Sequence, residues 1–199
     1  MDAIEPATEI TRARLLRVGS AVAAGTAAAG LGRRDSAPAA AVSDAEDARI
    51  LNFFLTLEYV QEAFYRQAVE AGRLEGELLT LANAVAAQES RHVRLLTGRL
   101  GSRAQPRPRS AFGDALESPD RFRRTAIDLE EAAIAGYVGQ AGNLGWRELA
   151  AIARLVSVEA RQVAWLRDLD GVNPAPRAAD PARKAGDILD ELRRKGFLA

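Results

Sequence analysis

Two sets of residues recur in this sequence with a spacing suited to chemistry on helices. The first is Glu58, Tyr65, Glu89 and His92; the second is Glu130, Tyr137, Glu159 and Gln162. In each, a glutamate stands seven residues before a tyrosine, and a second glutamate follows the first after 31 residues in one copy and 29 in the other. Three positions beyond that second glutamate comes His92 in one copy and Gln162 in the other. On a helix, residues three apart share a face, so Glu-x-x-His offers two ligands to one point. Two helical hairpins of this kind can surround a pair of metal ions with four carboxylates. Gln162 breaks the symmetry. Its amide oxygen can coordinate a hard cation, but it is neutral and a weak donor beside imidazole for iron or manganese. One metal position, near His92, is therefore expected to be the better of the two.

The glutamates sit where a core should be. Leu51, Phe54, Glu58, Tyr65 and Val69 form one helical stripe; Leu78, Leu81, Val85, Glu89, His92 and Leu96 form a second. Phe122, Ala126, Glu130, Ala133 and Tyr137 make a third, and Ile152, Leu155, Glu159, Gln162 and Leu166 a fourth. Each places a carboxylate in the middle of an apolar row. A buried, unpaired carboxylate costs several kcal/mol even after relaxation. Protons, arginines or cations could relieve it. Arg91 and Arg161 lie two residues from Glu89 and Glu159, which turns them to other faces. Divalent cations are the simplest compensation, with Glu58, Glu89, His92, Glu130, Glu159 and Gln162 as the ligand set.

Other residues read more plainly. Glu62, Glu70, Glu131 and Glu148 are expected as solvated helix charges, with Glu131 competing with Glu130 for the inward position. Tyr65 and Tyr137 read as core aromatics whose hydroxyls bond a buried polar group. Trp146 and Trp165 read as packing residues. The chain has no cysteine and one histidine, which excludes disulfides, thiolate metal sites and cysteine nucleophiles. A net charge of +0 gives no sign of a nucleic-acid partner.

Four helices must position these groups. Ser43-x-x-Glu46 is a capping box opening the first, over residues 43–71, which Gly72 ends. The second is expected over residues 74–97, terminated by Gly98 and Gly101. Ser118-Pro119 starts the third, over residues 119–138, which Gly139, Gly142 and Gly145 break; the fourth covers residues 146–169. The first and third connections are short and permit only antiparallel hairpins. The middle one spans about 20 residues, and an extended chain of that length outreaches a helix of about 36 Å. It can cross the whole bundle and lay the second hairpin parallel to the first. Asp180-Pro181 begins a short amphipathic helix carrying Ile188, Leu189 and Leu192. No segment alternates with period two, so the expected class is all-α.

The domain reading is a leader over residues 1–42, a bundle over 43–172 and an extension packed on it over 173–199. In the leader, Thr11, Arg12, Leu15, Leu16 and Arg17 fit a twin-arginine export pattern, while Ala13 stands where the second arginine belongs. An uncharged run of about 15 residues and small-residue triplets follow, which is the layout of an export signal. The run is too short for a comfortable membrane span of about 20 residues. Export to the periplasm or cell envelope is the expectation, with a cytoplasmic protein bearing an alanine-rich N-terminal helix as the alternative.

These segments also resemble a known family. Ile50-Leu51-Asn52-Phe53 running into Leu57-Glu58-Tyr59, then Phe64-Tyr65, Glu159-Ala160-Arg161, Trp165-Leu166 and Asn173-Pro174-Ala175-Pro176 are similar to the bacterial ferritin-like domain family that includes twin-arginine-leader and desiccation-associated proteins. The resemblance runs from about Asp44 to Phe197. It implies a ferritin-like four-helix bundle with one long crossover, and it puts Glu58, Glu89, His92, Glu130 and Glu159 on the family's metal-ligand positions; Gln162 departs, since the family pattern has histidine there. The function expected is carboxylate-bridged binding of iron or manganese, as a pair, as one ion, or with the site lost, serving iron handling or oxidative and desiccation stress. The alternative is a catalytically inert bundle with a binding or structural task in the envelope. A heme protein is disfavoured, because Met1 is the lone methionine. Whether the chain is an enzyme, which residues would be catalytic, and whether it forms homo-oligomers stay open.

Overall fold

A computed structural model describes residues 44–199. The capping box at Ser43 and the leader of residues 1–42 lie outside the described residues. Five helices follow in order: α1 (Asp44–Glu70), α2 (Gly76–Leu100), α3 (Pro119–Ala141), α4 (Trp146–Leu169) and α5 (Ala185–Arg194). Two short 3-10 turns, Gly101–Arg103 and Gly113–Leu116, interrupt the crossover between α2 and α3. The described residues contain no strand. The class is all-α, as expected.

Cross-helix contacts fix the arrangement. Phe54 of α1 packs on Tyr137 of α3 with ring centroids 4.3 Å apart, and Phe64 on Phe122 at 5.3 Å. The early part of α1 thus meets the late part of α3 and the reverse, so these two helices are antiparallel; this corrects the expected parallel placement of the second hairpin, because a crossover that spans the bundle starts α3 at the far end of α1. Likewise Trp165 Nε1 donates to Glu77 Oε1 and Arg99 pairs with Glu148, setting α2 antiparallel to α4. The crossover begins near the start of α1, where Asn52 Nδ2 donates to the Arg103 carbonyl and its Oδ1 accepts from the Gln105 N–H. It ends near the other end of α1, where Phe112 meets Phe64 at 5.2 Å. It therefore runs the length of the bundle, and α1 is covered on its outer side as well as its inner one.

That cover corrects the reading of Glu62. The residue is not a solvated charge: it accepts from Ser90 Oγ at 2.6 Å and pairs with Arg107, whose guanidinium also lies 4.3 Å from the centre of the Tyr59 ring. Glu148 is paired with Arg99 at 2.5 Å, and Glu131 with the buried Arg167. Only Glu70 of that group is left largely to solvent. Trp146, read as a packing residue, is 82% exposed at the first position of α4; Trp165 is partly buried against the core.

Two helix ends also move. Gly98 lies inside α2, which continues to Leu100 and stops at Gly101, whose φ of 57° is left-handed. Gly139 lies inside α3. A glycine in a helix interior costs about 1 kcal/mol, which packing readily overrides, and at Gly139 packing needs the missing side chain. A Cβ there would stand 2.0 Å from the Arg183 carbonyl oxygen. The segment before α5 crosses α3 at this point, with the Arg183 N–H donating to the Ala135 carbonyl at 2.9 Å. Helix α5 begins at Ala185, four residues after the expected Pro181. It buries Ile188 and Leu192, and Phe197 closes on Phe112.

Candidate metal centre

The four apolar stripes converge, and every glutamate in them is fully buried. Glu58, Glu89, Glu130 and Glu159 each have 0% relative exposure, one from each of α1 to α4. His92 and Gln162 are buried beside them. His92 Nδ1 stands at the middle of three carboxylates: 3.2 Å from Glu58 Oε2, 3.2 Å from Glu89 Oε2 and 3.0 Å from Glu159 Oε1. Ligand atoms of these four residues all lie within 4.8 Å of one another.

Glu130 is held by a different pair of donors. It accepts from Tyr65 Oη at 2.6 Å and from Gln61 Nε2 at 2.9 Å, and the same Gln61 nitrogen lies 3.1 Å from Glu159 Oε2. Gln162 presents its amide nitrogen, not its oxygen, to the cluster: Nε2 donates to Glu89 Oε1 at 2.7 Å and to Gln88 Oε1 at 2.9 Å. The tyrosines act reciprocally. Tyr137 of α3 donates to Glu58 of α1, while Tyr65 of α1 donates to Glu130 of α3. Each copy of the repeat thus holds the other copy's glutamate.

Gln61 was not singled out from the sequence, although the signal was there. It stands three residues after Glu58, the offset that also separates His92 from Glu89 and Gln162 from Glu159.

Burial sets the electrostatics. It pushes the carboxyls of Glu89 and Glu130 well above their ordinary value, and the negative charge of Glu159 adds to the shift. Glu159 rises too, through burial and then the charge of Glu58. Burial acts on Glu58 in the same sense, but hydrogen bonds from His92, Glu89 and Tyr137 outweigh it and hold Glu58 below its ordinary value. Burial also opposes the His92 imidazolium, yet Glu159, Glu58 and Glu89 together hold the ring protonated far above its usual range. The imidazolium and the carboxyl protons therefore balance the acids as they stand. These are the charges a divalent cation displaces when it binds.

The donor set fits such a cation. A single Nδ1 proton cannot satisfy three carboxylates, and Glu159 Oε1, although 3.0 Å from the ring nitrogen, has no aligned hydrogen bond. A buried carboxylate oxygen without a donor, facing one imidazole and two more carboxylates, suits a hard or borderline divalent ion taking oxygen and nitrogen ligands.

No curated protein sequence matches the chain. Residues 46–171 match the family described as the ferritin-like domain. That span takes in α1 from its third residue, α2 to α4 and all six side chains of the expected ligand set, and the chain belongs to the ferritin-like domain family.

Proposed function

We propose that this protein binds iron or manganese at the buried cluster of Glu58, Glu89, His92 and Glu159, with Glu130 and Gln162 completing the surround. One observation carries the reading: three fully buried carboxylates from three helices converge on one imidazole nitrogen. A structural core has no need of such a group, because replacing buried charges with apolar side chains is commonly neutral or stabilising. When bound, iron would supply one-electron redox chemistry in a site walled off from water. The chain's own part is to orient the carboxylates through Tyr65, Tyr137 and Gln61, and to release the protons that the cluster otherwise holds.

The physiological role we propose is iron handling under oxidative or desiccation stress in the periplasm or envelope. It is supported by the resemblance of the segments quoted above and by the export-like layout of the leader. No helix among the described residues is long and apolar enough to cross a membrane. The competing reading, an inert bundle, draws on one observation: the cluster can balance its charge with the His92 proton and the protons on its raised carboxyls.

Elemental analysis of protein purified without chelators separates the two. The wild-type chain should carry iron or manganese, and a Glu58→Ala/Glu89→Ala double variant should not. Glu58→Gln/Glu89→Gln serves as the near-isosteric control for folding. Equal trace metal in wild type and in a folded double variant would remove the metal reading.

A further inference from the structure

The repeat defines two places for a cation. The first lies among Glu58, Glu89, Glu159 and His92. Its counterpart lies among Glu130, Glu159, Glu89 and Gln162. We infer that the second place is filled by the protein's own amide protons, supplied by Gln61 and Gln162, so that the centre takes one ion and takes it at His92. This rests on the metal reading above.

The geometry is specific. Gln61 Nε2 lies 2.9 Å from Glu130 Oε2 and 3.1 Å from Glu159 Oε2. A primary amide has two N–H donors, and here one goes to each of the two carboxylates that a second ion would draw together. Gln162 Nε2 lies 2.7 Å from Glu89 Oε1, taking the third. Each amide thus turns its NH2 edge inward, to the acids. The consequence is visible on the far side: both amide oxygens, Gln61 Oε1 and Gln162 Oε1, are buried without a partner. Such orphaned oxygens are uncommon in a core. They are the cost of committing both nitrogens to the acids.

The two departures from the repeat point the same way. Where the first copy has His92, the second has Gln162. Where the first copy has Gln61, three after Glu58, the second has Ala133, three after Glu130. Both differences put a carboxamide into the second position, and neither alters the first. Gln61 is 1% exposed and sits in the middle of α1, so it does not swing out to admit an ion without repacking the helix. Gln61 is therefore the residue that sets the ion count.

The test is Mn2+ stoichiometry on the full chain after equilibrium dialysis, together with the electron paramagnetic resonance spectrum of the bound ion. The wild type is expected to hold one Mn2+ per chain with the hyperfine pattern of an isolated ion. Gln61→Glu keeps the shape but replaces the donors with a ligand, and Gln61→Ala opens the space; both should raise the count to two and give an exchange-coupled spectrum. Two coupled ions in the wild type would overturn the inference and leave the metal reading standing. No bound Mn2+ in the wild type would overturn both. One ion in the wild type and still one in both folded variants would show that Gln61 is not the block. If neither variant folds, the wild-type spectrum decides alone, because a coupled pair contradicts the inference and an isolated ion supports it.

Discussion

The protons held in the metal-free cluster make a prediction about stability that runs against the usual behaviour of acidic groups. Glu89, Glu130 and Glu159 have folded-state values raised above 4.5, and His92 is raised above 6.5. A group raised in the folded state contributes stability that is complete below its unfolded value and lost as pH climbs through the folded one. Glu58 is lowered and acts oppositely, but its contribution fades only as pH falls below 4.5. Above about pH 5 the folded chain therefore holds more protons than the unfolded chain, and stability must fall as pH rises. Each excess proton is worth about 1.4 kcal/mol per pH unit. Even a single excess proton held across about two pH units, from about pH 5.5 to about pH 7.5, should cost the metal-free protein roughly 3 kcal/mol. That is a large share of the roughly 5–15 kcal/mol that stabilises an ordinary domain. Urea unfolding of chelator-treated protein at fixed ionic strength measures it. The Mn2+-loaded protein should behave oppositely, because the bound ion keeps the carboxylates ionised and the imidazole neutral, leaving the unfolded chain as the better proton acceptor. Glu89→Gln should flatten the metal-free slope by removing one raised group. Metal-free stability that rises from pH 5.5 to pH 7.5, or the same slope with and without Mn2+, would refute the reasoning.

Three further perturbations test the surroundings of the cluster. Tyr137→Phe removes a donor to the fully buried Glu58 and should cost about 1.5–3 kcal/mol in the metal-free protein, the range for a hydrogen bond to a charged group; denaturant midpoints would show it. Gln162→His replaces the amide that donates to Glu89 with an imidazole and should raise iron affinity on titration; no rise would mean that position 162 does not face the centre. Gly139→Ala sets a Cβ 2.0 Å from the Arg183 carbonyl oxygen and should cost about 2 kcal/mol by overpacking, or roughly 4–8 °C in melting temperature for a chain of this size, whereas Gly98→Ala, with open space around it, should be neutral or stabilising.

The parts of the fold that were legible in the sequence are those governed by local periodicity. Each of the four stripes was readable because an apolar row at helical spacing with one glutamate in it has few other interpretations, and the bounds of α4 follow directly from Gly145 and Gly171 flanking such a row. What was not legible depends on segments distant in sequence. Glu62 looks solvated in its own helix; only the path of the crossover, which brings Arg107 and Tyr59 together over α1, makes it an ion-pair partner. Gly139 looks like a helix breaker, and only the passage of Arg183 across α3 shows it to be a packing contact. Trp146 failed for the opposite reason: a large aromatic side chain implies burial on average, and nothing local reveals that the first turn of α4 faces solvent there. Gln61 is hard to see in the sequence because a neutral amide leaves no charge signature, although its offset from Glu58 matches those of His92 from Glu89 and Gln162 from Glu159.

The buried acids also have a structural consequence. The crossover is anchored on α1 at Asn52, Glu62 and Phe64, but these contacts do not themselves engage the inner face of α3, where apolar rows at helical spacing leave the register to more specific contacts. The tyrosine–glutamate pairs supply them. Tyr137 reaches Glu58 and Tyr65 reaches Glu130, in opposite directions along the antiparallel pair, so any slip breaks both bonds at once and leaves two buried carboxylates short of donors. A single bond of this kind would resist sliding through its own geometry alone; the reciprocal pair ties the α1–α3 register to the same oxygens that would meet the ion. The register of the bundle and the geometry of the centre are thus set by one group of contacts. A substitution that loosens either hydroxyl should therefore weaken metal binding as well as folding, even though neither tyrosine is among the groups that gather on His92.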